Sequence, residues 1–126
     1  MNYEDMSDFE INKTVMIAID SKGDVESITQ RKTKLRCINA VAMVKIKGCD
    51  EIVRFNPCND PDDAWPIILE YGICITSPTV GRKKKIWSAS WNEDGGRWSS
   101  GDIKHGDKNP LRAAMICFLM MKDAEK

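Results

Sequence analysis

The sequence is poor in the residues that most often carry metal binding and catalysis. Its 126 residues include a single histidine, His105, and five cysteines that form no C-x-x-C pair. Zinc sites combine histidines and cysteines at short spacings, so we expect no metal site. An odd number of scattered cysteines also argues against a disulfide framework and is typical of buried thiols in a reducing compartment. His105 lies among polar residues, and we interpret it as a solvated loop histidine.

The sequence also lacks the patterns of membrane-spanning helices, signal peptides and nucleotide-binding loops. No apolar run reaches the ~20 residues that a membrane-spanning helix needs. The first ten residues, MNYEDMSDFE, are acidic where a signal peptide would be basic and then apolar. The phosphate-binding patterns GxxxxGK[ST] and GxGxxG do not occur. With a single histidine, the sequence shows no set of residues typical of nucleophile-and-base catalysis. The sequence therefore predicts a soluble cytoplasmic protein that has no cofactor and contacts no membrane. We expect it not to be an enzyme; the remaining alternative is a small hydrolase that works through Asp60, Asp62 or His105.

The charges are present in equal numbers but are segregated along the chain. Residues 1–30 have seven acids and two bases, and residues 31–54 have two acids and seven bases. Residues 55–78 have four acids and no base, and residues 79–126 have six acids and ten bases. A folded surface can therefore have a basic face and an acidic face although the net charge is zero. The alternative is that each block is merely solvated.

The first 55 residues predict a helix followed by three strands. Ser7 and Glu10 form a capping box, which marks a helix start. The apolar residues that follow at helical spacing are Ile11, Val15, Met16 and Ile19. The predicted strands are residues 25–30, 35–47 and 51–55, with a basic turn at residues 31–34 between the first two.

Residues 56–126 predict a helix, three antiparallel strands and a second helix. Asp60 is expected to cap the first of these helices ahead of Pro61, and Pro66 is expected to bend or restart it. The predicted strands are residues 73–77, 86–91 and 97–99, with a loop at 100–108. Helices on an antiparallel sheet make an α+β two-layer sandwich with an αβββα second half, in one domain of residues 1–126. The double-stranded-RNA-binding domain shares this connectivity, which is not evidence of function.

The last helix is the strongest structural signal in the sequence. Asn109 is a preferred N-cap and Pro110 suits the first helical position. From Leu111 to Met121 the only charged residue is Arg112. A helix that is apolar all round must be buried on most sides, so we expect the core to centre on it. If one sheet cannot cover it, the remaining surface is expected to be buried in a homodimer.

Three stretches of the sequence together resemble a known family. They are YEDMSDFEINKTV near the start, FNPCNDPDDAWPIILEYGI in the middle and NPLRAAMICFLMMKD near the end. In these stretches the chain is similar to the NinX-like family of small proteins encoded by tailed bacteriophages and prophages of enterobacteria. The resemblance implies a phage origin, an early or accessory gene and an α/β fold. It supplies no catalytic residue.

Eight residues are candidates for binding a ligand: Arg82, Lys83, Lys84, Lys85, Trp87, Arg97, Trp98 and Arg112. Four consecutive bases on a loop attract phosphates, and a nearby tryptophan can stack on a base. Arg112 lies in the first turn of a helix, where free N–H groups and a guanidinium suit a phosphate or carboxylate.

Each candidate also has a purely structural interpretation. The basic run can be a solvated hairpin tip, with Trp87 lining the core under the last helix. Arg112 can form a salt bridge with Asp62 or Asp63. Trp65 and Trp98 can be the walls of a pocket or can fill the core; we expect burial against helices, which is the commoner fate of a tryptophan.

The leading hypothesis is a phage accessory protein of the host cytoplasm that acts by binding. As a host-takeover or anti-defence factor, it would sequester a host protein or a nucleotide-derived signal. The alternative is a nucleic-acid-binding module that uses the basic loop at residues 81–85.

Overall fold

The computed structural model describes residues 3–20, 22–30, 40–76, 86–91 and 103–124, with the backbone alone at residues 103–105. In these residues a short 3₁₀ helix, Tyr3–Asp5, precedes three α-helices: α1 Asp8–Ile19, α2 Pro61–Tyr71 and α3 Pro110–Ala124. The strands are β1 Val25–Gln30, β2 Ala42–Ile46, β3 Ile52–Phe55, β4 Cys74–Thr76, β5 Trp87–Trp91 and β6 Ile103–Asp107. The strand predicted at residues 35–47 is described only from residue 40 and begins at residue 42.

The six strands form two antiparallel sheets of three strands each. In the first sheet the order is β1-β2-β3, and in the second it is β4-β5-β6, so that neighbours in sequence are neighbours in space. From residue 61 onward the elements run α2, β4, β5, β6, α3. The predicted α+β class and the αβββα order of the second half are therefore confirmed.

The last strand of the second sheet is not where the sequence predicted it. Residues 103–107, predicted as part of a loop, pair with β5, and His105 lies opposite Ala89 in the ladder. The interpretation of His105 as a loop histidine is therefore wrong. The predicted strand at residues 97–99 lies outside the described residues. Because β6 is at the edge of its sheet and is held by backbone pairing, it needs no alternation of apolar side chains.

The helix starts follow the predicted caps. The Ser7 hydroxyl accepts from the N–H of Glu10 at 3.2 Å, and the Asp60 carboxylate accepts from the N–H of Asp62 at 3.0 Å. Helix α2 continues through Pro66 and ends at Gly72, whose φ of 65° is the left-handed conformation that glycine favours. The helix therefore does not restart at Pro66, which lies on its exposed side.

Helix α3 is the centre of the hydrophobic core, as the sequence predicted. Seven consecutive residues, 113–119, are buried, and so is Met121. The helix packs against α1, α2 and the second sheet, while Ala42, Val44 and Phe55 of the first sheet belong to the same core cluster. The chain itself thus covers this helix, so its apolar surface does not call for a second subunit. The predicted homodimer through this helix stays a prediction.

Candidate functional site

The Arg112 side chain ties the start of α3 to two other parts of the fold. Its Nε donates to Oδ2 of Asp107 at 3.0 Å, and its Nη1 donates to Oδ1 of Asp8 at 2.5 Å. Its Nη2 donates to the backbone oxygens of Glu4 at 3.2 Å and Met6 at 2.8 Å. The side chain is only 13% exposed. One guanidinium therefore holds the end of β6, the first turn of α1 and the preceding N-terminal segment together.

The predicted salt-bridge partners of Arg112 are wrong. Asp62 lies in the first turn of α2, and the carboxylate of Asp63 accepts from the N–H of Asn56 at 2.9 Å. A cation in the first turn of a helix opposes the helix dipole, and the carboxylates that offset it come from Asp8 and Asp107. A phosphate ligand at this position would have to compete with these carboxylates. The ligand-binding role of Arg112 stays a prediction.

Asn109 and Asn59 extend this arrangement into the loop before α2. Oδ1 of Asn109 accepts from the N–H of Leu111 at 3.0 Å and so caps α3. Its Nδ2 donates to the backbone oxygen of Cys58 at 2.6 Å and to Oδ1 of Asn59 at 3.3 Å. Nδ2 of Asn59 in turn donates to Asp8 Oδ2 at 3.2 Å. Helix capping and the joining of distant loops therefore depend on the same amides.

Asn12 is the buried end of the same arrangement. It is 0% exposed, in the middle of the apolar face of α1. Its Nδ2 donates to the backbone oxygen of Ala40 at 2.8 Å and to Oδ1 of Asn56 at 2.7 Å. Its Oδ1 accepts from the N–H of Cys58 at 3.1 Å. A buried amide with three partners fixes the loop at residues 56–58 against α1.

We call this set the Arg112 network; its members are Asp8, Asn12, Asn56, Asn59, Asp107, Asn109 and Arg112. The stretches that carry the family resemblance, residues 3–15, 55–73 and 109–123, all contribute to it. Sequence reasoning treated these stretches as caps and core positions and missed that they meet. The one available signal was an asparagine, Asn12, inside an apolar helical stripe, where an amide needs buried partners.

A groove of about 480 Å³ lies beside the last turn of α3. Its lining residues are Tyr3, Thr14, Ile17, Ala18, Leu119, Lys122 and Asp123. The Tyr3 hydroxyl donates to the Asp123 carboxylate. Burial raises the pKa of Tyr3 to about 12, with the hydrogen bond to Asp123 and its negative charge acting in the same direction. No predicted ligand-binding residue lines this groove.

Because the Tyr3 hydroxyl is buried and donates to Asp123, we expect the folded protein to lose stability at alkaline pH. The pKa of Tyr3 is raised from its ordinary value of 10.0 to about 12. The neutral phenol therefore contributes stability that is complete below pH 10 and is lost as the pH rises towards 12. Urea unfolding should show the difference in free energy between the wild type and Tyr3→Phe shrinking over this range. If the difference in unfolding free energy between the two proteins does not change with pH, the Tyr3 hydroxyl is not held by Asp123 in the folded protein.

Helix α2 presents an apolar pair to solvent. Trp65 is 54% exposed and Leu69 is 63% exposed, and the two are one helical turn apart. The expectation that Trp65 is buried is therefore wrong. Asp62 and Glu70 are also exposed, and α2 contains no basic residue. The exposed side of this helix therefore combines the apolar pair Trp65 and Leu69 with the acidic residues Asp62 and Glu70. We call these four residues the α2 face.

Of the eight predicted ligand-binding residues, the structure describes two. Trp87 is half-buried at the start of β5, opposite Asp107, which is the residue that pairs with Arg112. Trp87 therefore adjoins Asp107 across the β5–β6 ladder, and Arg112 contacts the carboxylate of the same residue. The other six, Arg82, Lys83, Lys84, Lys85, Arg97 and Trp98, lie outside the described residues.

The described cysteines do not provide a reactive thiol in the core. Burial raises the pKa of the Cys58 thiol, with Asp8 and Asp107 adding to the effect and Arg112 opposing it. Burial also raises the pKa of Cys117 to about 12, with Cys74 contributing. Both thiols stay protonated and inert at neutral pH. Cys49 and Cys74 are exposed, so the expectation that the cysteines are buried is wrong for these two.

The described part of the chain has neither a metal-binding cluster nor a membrane-spanning helix. It contains no group of three or more histidine, cysteine, aspartate or glutamate side chains arranged to hold a metal ion. Asp60 caps α2 by accepting the N–H of Asp62, and Asp63, in the first turn of the helix, accepts the N–H of Asn56 after β3. None of the described helices is both long enough and apolar enough to span a membrane.

Comparison with known proteins identifies the family of the chain. No curated protein and no solved structure matches it. A family model described as "Bacteriophage P22, NinX" matches residues 2–122. The match includes every helix and strand that the structure describes except the last two residues of α3. The chain therefore belongs to the bacteriophage NinX family.

Proposed function

We propose that the chain is a non-catalytic phage accessory protein that binds a host protein through the α2 face. It would act in the host cytoplasm as a host-takeover or anti-defence factor by sequestering that protein. The observation that carries the proposal is the exposed pair of Trp65, at 54%, and Leu69, at 63%, on one side of a short helix.

An exposed tryptophan beside a leucine favours a protein partner. Single exposed apolar residues are ordinary, but contiguous ones suit an interface. Tryptophan is enriched among the residues that dominate binding energy, and truncating such a residue costs at least about 2 kcal/mol. A short helix that presents anchors at positions i and i+4 is a recurring recognition element.

The charge around the pair defines the partner's chemistry. Asp62 and Glu70 are exposed on α2, and residues 55–78 contain four acids and no base. We therefore expect the partner to offer an apolar pocket with a basic rim, since complementary charge speeds association and excludes other partners.

The test uses three versions of the tagged chain: the wild type, Trp65→Ser/Leu69→Ser and the control Ile17→Ser. Ile17 is 59% exposed on α1, so the control removes a similar apolar side chain elsewhere. Each version is recovered from infected cells, and the eluate is analysed for protein, nucleic acid and small molecules. We expect one host protein with the wild type and the control but not with the double variant.

The recovered protein is then purified and titrated against the three versions. The double variant should bind about 30-fold more weakly or worse, which corresponds to 2 kcal/mol. Equal affinity of all three versions would show that the α2 face is not the interface.

The same eluate tests the other two hypotheses. A nucleotide-derived molecule released from the folded protein would favour the sequestered-signal version. Recovery of nucleic acid that falls with salt, and that is lost in Lys83→Ala/Lys84→Ala/Lys85→Ala, would favour the nucleic-acid-binding alternative at residues 81–85.

A further inference from the structure

Strand β3 is an edge of the first sheet and presents apolar side chains to solvent. It pairs with β2 on one side, and no strand of the described residues pairs with it on the other. Ile52 is 56% exposed and Val53 is 45% exposed. An open strand edge with β-branched residues is a template for pairing with another strand.

The two apolar residues of β3 point to opposite faces of the sheet. Val53 lies opposite Val44, whose side chain is 0% exposed, so it is on the core face. Ile52 lies opposite Lys45, on the outer face. A strand added at this edge would cover part of both residues, which no single packed helix would do.

The charges along this edge are self-complementary. Asp50 and Glu51 directly precede the strand, Ile52 and Val53 are at its centre, and Arg54 is near its end; all five are exposed. When two copies of this segment pair antiparallel, the acidic start of each copy lies beside the basic end of the other. Opposite charges across a strand pair stabilise it, and like charges destabilise it.

We propose that the chain forms a symmetric homodimer by antiparallel pairing of β3 with β3 of a second copy. The β1-β2-β3 sheets of the two copies then become one six-stranded sheet. With Ile52 opposite itself, Asp50 of each copy lies across from Arg54 of the other on the outer face, and Glu51 lies next to Asp50 on the other face. This interface is two-fold symmetric, as is usual for dimers. It does not use the α2 face or α3, so it is independent of the proposed function.

The β3–β3 contact is small, so we expect the dimer to be weak. Interfaces below ~1,200 Å² belong to the weak, transient class, and a four-residue strand pair with its flanking charges falls in that class. We therefore expect a reversible monomer–dimer equilibrium, with the dimer growing as the concentration of the 14.3 kDa chain rises.

Charge reversal tests the pairing directly by sedimentation equilibrium. Arg54→Glu makes the segment wholly acidic, and Asp50→Lys/Glu51→Lys makes it wholly basic. Each variant alone should dimerise about tenfold more weakly than the wild type, because like charges then oppose each other. An equimolar mixture of the two variants should regain dimer, and so should a chain that carries all three changes.

A cysteine scan checks the geometry in a chain whose Cys37, Cys49 and Cys74 are changed to serine. In a symmetric antiparallel pair one residue lies opposite itself, at a Cα separation of ~4.5–5.5 Å that a disulfide can bridge. The pairing of Asp50 with Arg54 sets Ile52 opposite itself, so Ile52→Cys should cross-link under oxidation. Val53→Cys, which lies opposite Glu51 in this register, and Thr29→Cys on β1 should not. The proposal is wrong if the wild type is monomeric at every concentration. It is also wrong if the dimer is equally stable in all the charge variants and no cysteine of β3 cross-links.

Discussion

Replacing Arg112 with alanine should lower the free energy of unfolding by about 3 kcal/mol. The substitution leaves the carboxylates of Asp8 and Asp107 without their shared cation and removes the guanidinium hydrogen bonds to the backbone oxygens of Glu4 and Met6. Removing one partner of a buried ion pair costs about 3–5 kcal/mol. We expect the lower end because the Asp8 side chain is 33% exposed and water can screen it.

Two comparison variants make this measurement specific. Arg112→Lys keeps the charge but replaces a planar fork of donors with a single ammonium, so we expect an intermediate loss. Lys45→Ala removes an exposed pair with Glu26, at 3.9 Å and with about half of each side chain in solvent, which contributes at most about 1 kcal/mol. Urea unfolding measures all three. A loss in Arg112→Ala as small as that in Lys45→Ala would mean that the network does not stabilise the fold.

The order of the elements was predictable because its signals are local. Ser7, Asp60 and Asn109 each accept a backbone N–H a few residues ahead, and such caps can be found from spacing alone. The long apolar run after Pro110 likewise required burial on most sides. These features depend on neighbours in sequence, so the sequence alone identifies them.

The position of β6 was not predictable in this way. Its residues, Ile-Lys-His-Gly-Asp, have neither apolar alternation nor β-branched enrichment. They form a strand because β5 supplies hydrogen-bonding groups, with Trp87 opposite Asp107 and Trp91 opposite Ile103. Edge strands depend on a partner that is distant in sequence, and their own composition carries little signal.

The candidate site was predicted in part for the same reason. A charged residue in an apolar helix needs a partner, and Arg112 has two, the nearby Asp107 and the distant Asp8. Which acid supplies it depends on the fold, because Asp8 is 104 residues away and becomes adjacent only when α1 packs beside α3. The exposure of Trp65 also required the fold, since the sequence does not show which side of α2 lacks a covering element.

Changing Asn12 to aspartate should destabilise the protein by about 3 kcal/mol or more at neutral pH. The new carboxylate keeps the acceptor for the N–H of Cys58 but sets a second oxygen against the backbone oxygen of Ala40 and Oδ1 of Asn56. Because the site is fully buried, the charged form is strongly disfavoured and the pKa of the new aspartate would be raised.

The pH dependence separates this explanation from a general loss of packing. A raised folded-state pKa contributes stability below the unfolded pKa of ~3.9 and loses it as the pH rises. Asn12→Asp should therefore approach wild-type stability in mild acid, when the protonated carboxyl can donate to Ala40 as the amide does. Asn12→Leu removes the same hydrogen bonds without a titratable group, so its deficit should not change with pH. If the two variants lose stability in parallel across this range, the buried amide is not acting as the donor that fixes the loop at residues 56–58.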